Sequence, residues 1–166
     1  KEILDSVSDR YFFVADPVKI KVEGAKEKQI ELDMHPDNKK GGRTFSVSDE
    51  FFISKKDYDS IKDGQLVRLI DCLTFVKDKD RIKLFDYEYV SYKDAGKKRG
   101  PIIQWVVDDN EVKVDVRMPD NTIVSGLGEK WLNDVKEGDI VQLERVGFAR
   151  CDSVSENKLE FWYAHK

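Results

Sequence analysis

The sequence has few of the residues on which disulfide frameworks, metal centres and membrane spans depend. Among its 166 residues are two cysteines, Cys72 and Cys151, and two histidines, His35 and His165. Neither pair has the spacing of metal ligands or of a nucleophile with its base. Two isolated cysteines fit a reducing compartment, and no apolar run approaches the roughly 20 residues of a membrane helix. We therefore expect a cytoplasmic protein with no metal site, no cofactor of its own and no contact with a membrane.

Motifs of enzymatic active sites are also missing from this sequence. Gly126-Leu127-Gly128 has no third glycine at Trp131 and does not open a Rossmann unit. Asp108-Asp109 is explained better as a charged turn than as a catalytic carboxylate pair. The chain begins with lysine instead of methionine, which favours a piece of a longer protein, and Lys1–Asp5 does not resemble a secretory leader. The chain itself is expected to be non-catalytic.

The charge of the chain argues against a protein that binds nucleic acid strongly without selectivity. The formal net charge is −4, whereas contacts with phosphate require lysine and arginine. Two local clusters of basic residues, within 39–43 and 97–99, nonetheless leave room for a basic groove. A nucleic-acid site on this chain would have to be local.

Short strands dominate the predicted secondary structure. Residues 29–34 alternate polar and apolar side chains, as a half-buried strand does. Residues 65–76 and 81–92 are predicted to form a long hairpin. Ser54 is a plausible N-cap for a short helix that ends near Gly64, and 129–135 favours a second short helix. This pattern indicates an all-β barrel or sandwich.

Seven short motifs occur in an order that matches a known family. They lie at residues 10–20, 35–37, 42–43, 67–69, 103–106, 118–120 and 141–148. Together they resemble the C-terminal anticodon-binding region of glutamyl- and glutaminyl-tRNA synthetases, which are class I enzymes, and most closely the archaeal-type glutamyl enzymes. The resemblance covers nearly the whole chain.

The resemblance implies a particular all-β fold. The family has two tandem closed β-barrels, of a type also seen in an RNA-binding ribosomal protein, with one or two short helices. Residues 1–44 and 101–166 would form the barrel proximal to a catalytic part, and 45–100 the distal barrel. In the family the first strand returns to pack with the C-terminal barrel, an exchange that the sequence alone does not show.

The resemblance also implies which residues contact the anticodon. Arg10 precedes an aromatic strand, Arg68 lies in Val67-Arg68-Leu69, and Gln142 and Arg145 lie in the motif at 141–148. Arg43 and Asp37 are further candidates near the RNA. A guanidinium can pair with a base edge or bind phosphate, and an amide that donates and accepts suits uracil.

Several alternatives remain open for these residues. Arg10 could be an ordinary surface arginine. Gln142 and Arg145 are three residues apart, so on one regular strand they would point to opposite faces. Ile70 stands where the family has a second arginine, so Arg68 could contact phosphate only.

Three aromatic residues offer a further candidate. Phe85, Tyr87 and Tyr89 alternate and would share one face of a strand. Such a row is either barrel core, which we favour, or a stacking platform for bases.

The function implied by the resemblance is recognition of the tRNA anticodon loop within a glutamate–tRNA ligase. The parent enzyme would use ATP and magnesium, whereas this chain would bind neither. One alternative is the same module in a glutaminyl enzyme, although the segment between Tyr58 and Gln65 lacks that enzyme's longer basic loop. The other is a protein-interaction module that does not bind RNA.

Overall fold

The computed structural model describes residues 9–35 and 38–165, with only the backbone described for 34–35 and 38–41. Its strands are β1 Arg10–Tyr11, β2 Phe13–Ala15, β3 Pro17–Lys21, β4 Lys28–His35, β5 Asn38–Val47, β6 Glu50–Ser54, β7 Leu66–Leu69, β8 Leu73–Asp78, β9 Arg81–Asp86, β10 Arg99–Ile103, β11 Val112–Arg117, β12 Ile123–Gly128, β13 Ile140–Leu143, β14 Gly147–Ser155 and β15 Lys158–His165. The helices are α1 Lys55–Ser60 and α2 Tyr89–Lys93, and single 3₁₀ turns occur at Gly96–Lys98 and Lys130–Asp134. The predicted all-β class is confirmed.

The first helix begins where the sequence predicts. The Ser54 hydroxyl accepts a hydrogen bond from the Asp57 amide at 3.1 Å, which satisfies a donor that a helix start otherwise leaves free. The helix ends at Ser60, before the predicted limit near Gly64. The second predicted helix, at 129–135, is a 3₁₀ turn over Lys130–Asp134 instead.

The C-terminal strands form a barrel that the N-terminal strand closes. Its seven strands follow the order β1-β13-β14-β15-β11-β12-β2. The edge strands β1 and β2 are consecutive in the chain and separated only by Phe12, so both edges of the sheet are covered by one stretch of backbone. β1 runs parallel to β13, and β2 runs antiparallel to β12. The N-terminal strand thus completes a barrel whose other strands come from the C-terminal part of the chain.

The remaining strands form a second ring. A four-stranded sheet has the order β10-β7-β8-β9, and Glu23, which follows β3, forms a bridge to Lys83 in β9. β3 pairs with β6, and Phe52 in β6 exchanges backbone hydrogen bonds of 2.7 and 3.0 Å with Val106, beyond the end of β10. These links connect β9 to the segment after β3, and β6 to the segment after β10, so the strands form a closed ring. β4 and β5 form a separate antiparallel hairpin.

The molecule has two hydrophobic cores that share one strand. Phe12 and Val14 are buried in the first core, whereas Tyr11 and Phe13 are buried in the second. Successive side chains of a strand point to opposite faces, so this strand forms a wall between the cores. In the first core the rings of three phenylalanines lie 5.3–5.7 Å from Trp105, namely Phe12, Phe45 and Phe51.

The division into domains at residues 44 and 100 stays a prediction. The first core contains Leu32 and Phe45, which lie on either side of the first proposed boundary. It also contains Ile103 and Trp105, beyond the second proposed boundary. The second core takes its residues from 11–13 and from 112 onward.

Two buried side chains hold the shared strand where it passes from one edge of the barrel to the other. The Phe12 amide donates to Glu129 Oε2 at 2.7 Å, and the Phe13 amide donates to Gln104 Oε1 at 3.0 Å. Buried backbone donors require partners, and here side chains from two distant segments supply them. The position of Arg10 is therefore set by groups within the barrels.

The row of aromatic residues at 85–89 departs from the prediction. β9 ends at Asp86, whose carboxylate accepts hydrogen bonds from the Ser91 hydroxyl and the Glu88 amide, and Tyr89 then begins α2. The chain turns at Asp86, so the three aromatics do not share one strand face. The preference for barrel core is wrong for Phe85 and Tyr89, which are 52% and 48% exposed.

Candidate nucleic-acid interface

Arg10 and Gln142 lie side by side on the outer face of the C-terminal barrel. They are direct partners in the parallel pairing of β1 and β13. Arg10 Nη2 donates to Gln142 Oε1 at 3.3 Å, and Arg10 Nε lies 3.7 Å from Glu144 Oε1. The arginine side chain is one-third exposed. Backbone pairing and two side-chain contacts therefore orient a guanidinium that solvent can still reach.

Gln142 and Arg145 do not lie on one regular strand, because a turn separates them. β13 ends at Leu143, and Arg145 lies beyond it with φ of 66°, in the left-handed region. Its Nη1 donates to both carboxylate oxygens of Asp57, and its Nη2 donates to the Ile102 carbonyl at 3.0 Å. Since the side chain remains 45% exposed, Arg145 joins the two barrels at their surface.

Arg68 occupies the middle of β7 and is largely buried, with 6% of its surface exposed. Its Nη1 donates to the Tyr87 carbonyl at 2.8 Å and to Thr74 Oγ1 at 3.2 Å, while its Nε has no hydrogen-bond partner among the described residues. Burial lowers the pKa of this guanidinium, and nearby acidic groups such as Asp71 oppose that shift. A buried arginine nevertheless stays protonated. Within the described chain no carboxylate forms an ion pair with it.

Side-chain contacts, strand pairing and proximity in the sequence relate these four predicted residues to one another. Arg10 touches Gln142, and Gln142 is followed three residues later by Arg145. Arg145 binds the carbonyl of Ile102, which is the strand partner of Arg68. Arg10 and Gln142 thus lie on the C-terminal barrel and Arg68 lies on the second ring, while Arg145 joins the two.

Beside Arg10 lies a cleft of about 200 Å³ with mixed charge. Its lining includes Arg10 and Arg43, with three carboxylates from Asp33, Asp71 and Glu144. A groove of this composition does not attract phosphate broadly, in agreement with the acidic net charge. It suits a ligand recognised through a few directed hydrogen bonds.

The prediction of an RNA contact for Arg43 requires a correction. Arg43 is 4% exposed, and its Nε and Nη2 donate to the two carboxylate oxygens of Glu129, itself 1% exposed. Its Nη1 donates to the Asp33 carbonyl at 2.7 Å, and its guanidinium lies 5.0 Å from the Phe12 ring centre. The guanidinium thus forms an internal ion pair behind the shared strand. Asp37, the remaining candidate, lies outside the described residues.

Sequence reasoning missed the groups that hold the site in place. Glu129 is 86 residues from Arg43, and no local pattern marks it as the partner of a buried arginine. Asp57 is likewise 88 residues from its partner Arg145. Gln104 belongs to a family motif, and only the structure shows its bond to the Phe13 amide. These are long-range contacts, which sequence periodicity does not encode.

Metal and membrane features can be judged only for the described part of the chain. Within residues 9–35 and 38–165, no cluster of three or more His, Cys, Asp or Glu side chains is arranged to hold a metal ion. No helix in those ranges combines the length and apolarity that crossing a membrane requires.

Comparison with known proteins identifies relatives over the full length of the chain. Residues 8–89 match the profile described as tRNA synthetases class I (E and Q), anti-codon binding domain, and residues 102–152 match a second profile of the same description. The chain is 37% identical to a glutamate–tRNA ligase of Methanobrevibacter smithii, 38% to one of Pyrococcus abyssi and 36% to one of Methanocaldococcus jannaschii. Each alignment covers 100% of this chain and 29–30% of the relative. The chain thus spans under a third of the length of these relatives.

Proposed function

This chain belongs to the anticodon-binding domain family of class I tRNA synthetases for glutamate and glutamine, and from that premise we propose that it binds the tRNA anticodon loop within a glutamate–tRNA ligase. The observation that carries the proposal is the placement of Arg10 and Gln142 on one barrel and Arg68 on the other, with Arg145 joining the two. Unpaired bases offer hydrogen-bonding edges and flat faces that such groups recognise.

Gln142 is the residue best suited to read a base edge. Its Oε1 accepts a hydrogen bond from Arg10, so its amide nitrogen is left to donate. Within the described residues this nitrogen has no hydrogen-bond partner. A carbonyl oxygen of uracil accepts such a donor, and the neighbouring guanidinium of Arg10 supplies a second donor. The pair would favour a base with several acceptors on one edge.

Arg68 and its aromatic neighbours offer a second reading position. The Arg68 guanidinium lies 5.7 Å from the centre of the Tyr89 ring, which is half exposed. An exposed aromatic ring provides a face for base stacking, worth roughly 1–3 kcal/mol per base. The buried charge behind it attracts the carbonyl oxygens of a stacked base. Arg145, paired with Asp57 but still accessible, would contact phosphate between the two positions.

Chemistry would take place elsewhere in the ligase. The parent enzyme would use ATP and magnesium to attach glutamate to its tRNA in the cytoplasm, and the present residues would select the tRNA. Selection by a few directed contacts fits a domain with an acidic net charge of −4.

Binding of the chain to the anticodon stem-loop of glutamate tRNA tests the proposal. Arg10→Ala and Arg68→Ala should each weaken binding at low salt by about 1.5–3 kcal/mol, the value of a hydrogen bond to a charged group. Arg81→Ala is the matched control, because it removes an exposed arginine that pairs with Glu23 away from the site. Equal affinities for all three variants would contradict the proposal.

A further inference from the structure

The outer face of the C-terminal barrel carries a row of side chains that the anticodon site does not use. Strand pairing aligns five residues across β13, β14, β15, β11 and β12. In that order they are Ile140, Arg150, Trp162, Arg117 and Ile123. Directly opposed residues of paired strands point to the same face, so these side chains form one continuous row. We call this row the arginine belt.

The arginine belt faces solvent. In β15 the residues Leu159 and Phe161 are buried in the second core, whereas Trp162 between them and the chain end is 49% exposed. Ile123 and Ile140 are also exposed. Five strands at about 4.8 Å spacing make the belt about 19 Å wide. An exposed tryptophan with large aliphatic neighbours on one sheet face marks a contact surface.

The arginines of the belt lack close acidic partners. Arg117 lies 5.3 Å from the Trp162 ring centre and donates to the Asn121 side chain, and no carboxylate of the described residues pairs with it. Arg150 has only a 3.9 Å contact with Asp152, and both side chains are exposed. Two guanidinium groups thus flank one aromatic ring.

The next row of the same face is acidic, and its two carboxylates share one lysine. Asp115 accepts hydrogen bonds from Ser125 Oγ at 2.7 Å and pairs with Lys158 Nζ at 2.9 Å. Glu160 accepts from Ser153 Oγ at 2.8 Å and lies 3.8 Å from the same Lys158. With Asp152, this face carries three carboxylates against Lys158 and the two arginines, so the belt offers directed contacts and no excess of positive charge.

The belt is continuous with the candidate anticodon site. The row directly beside it contains Arg10 and Gln142, and Gln142 is two residues from Ile140 along β13. From standard strand dimensions, the Cα atoms of Gln142 and Trp162 are about 12 Å apart. Both rows include a residue of β13 and lie on the same outer face of the barrel.

From this arrangement we propose that the arginine belt is a second RNA contact surface, which binds the strand that continues from the anticodon. One base stacks on Trp162, and the flanking phosphates bind Arg117 and Arg150. The inference rests on the proposed function, since it names a further contact of the same tRNA.

The chemistry of the belt favours RNA over a protein partner. Alternation of guanidinium groups with an aromatic ring matches the alternation of phosphate and base along an unpaired strand. Arginine adds stacking and bidentate contact with phosphate, which lysine does not supply.

Binding of the chain to an in vitro transcript of glutamate tRNA, measured over a range of salt concentrations, tests the belt. The double variant Arg117→Ala, Arg150→Ala should lower the slope of log affinity against log salt by about 1–2, since each lost phosphate contact on a single strand contributes about 0.7. Trp162→Ala should weaken binding roughly five- to hundredfold. Arg81→Ala should change neither quantity.

Tryptophan fluorescence provides a readout that a merely structural role would not affect. Trp105 is buried and Trp131 is partly buried, so Trp162 is the most exposed of the three indoles. Adding the transcript should quench fluorescence in wild type, and Trp162→Phe should remove most of that quenching.

The outcomes separate the belt from the anticodon site. If Arg10→Ala and Arg68→Ala weaken binding while the belt variants behave like Arg81→Ala, the belt inference is overturned and the proposed function stands. If the wild-type chain does not bind the transcript at low salt, both are overturned. If Trp162→Ala instead dissociates a wild-type dimer in the absence of RNA, the belt binds a second copy of the chain, and the RNA assignment is wrong.

Discussion

At the scale of single residues, the buried pair of Arg43 and Glu129 has the greatest structural consequence. Glu129 binds the Arg43 guanidinium and also accepts from the Phe12 amide, so one carboxylate joins three segments. Burial raises the pKa of Glu129, while the guanidinium and the amide hydrogen bond oppose that rise. The pair is internal, and its contribution to RNA binding is to hold the strand that bears Arg10.

Replacing Glu129 by glutamine should destabilise the fold. The variant keeps the shape but leaves the Arg43 charge buried without a counterion, which costs about 3–5 kcal/mol. Chemical denaturation followed by circular dichroism measures this loss. Glu156→Gln, at an exposed turn, is the control and should change stability by less than about 0.5 kcal/mol.

A second variant tests the cause of that loss. Arg43→Met combined with Glu129→Gln removes both charges and should recover much of the stability, because no charge is left unpaired and the glutamine oxygen can still accept from the Phe12 amide. A loss below about 1 kcal/mol for Glu129→Gln alone would show that the ion pair is not needed.

Sequence reasoning predicted residues well where their partners are local. Ser54 caps α1 as its position suggested, since capping depends on residues within one turn. Arg43 was expected at the surface because charged side chains are seldom fully buried, and its partner is remote in sequence. Phe85 and Tyr89 were expected in the core because the turn at Asp86 was not recognised.

At the scale of elements, closure of the C-terminal barrel depends on the close pairing of β12 with β2. Gly126 lies opposite Ala15 in this pairing. A Cβ atom at Gly126 would lie 2.0 Å from the Val14 carbonyl oxygen and 2.9 Å from Ala15 Cα. Both contacts are with backbone, so relief would require the strands to separate.

Gly126→Ala should therefore open this edge of the barrel and lower stability by about 3 kcal/mol or more, beyond ordinary overpacking. Gly64→Ala is the matched control, since no atom lies within 4 Å of its added Cβ and the only strain comes from a φ of +85°. That control should cost about 1 kcal/mol. Equal losses for the two variants would exclude the close approach as the cause.

Element types were easier to predict than their pairing. Alternating residues at 29–34 predicted a strand that the structure contains within β4. Closure of the second ring uses the bridges Glu23–Lys83 and Phe52–Val106, which connect residues 60 and 54 positions apart by difference of their numbers. This pairing depends on how side chains pack throughout the core, so no pattern of neighbouring residues in the sequence predicts it.

At the scale of the whole molecule, the two cores should unfold together. The strand at 10–15 supplies alternate side chains to both, so loss of either core removes a wall of the other. We expect one cooperative transition in denaturant.

Two probes can test this cooperativity. Trp105 fluorescence, in a Trp131→Phe, Trp162→Phe background, reports on the first core, and the thiol of buried Cys151, in a Cys72→Ala background, reports on the second. The transitions of the two probes should coincide. Transitions at clearly separate denaturant concentrations would show that the cores are independent.

The strand that contributes to both cores also affects how the proposed site selects tRNA. Arg10 lies two residues before Phe12. The amides of Phe12 and Phe13 donate hydrogen bonds to the buried side chains of Glu129 and Gln104. Lateral displacement of Arg10 against Gln142 therefore requires both barrels to deform. Under the proposed function, a core substitution that does not contact tRNA would therefore change which tRNA is selected.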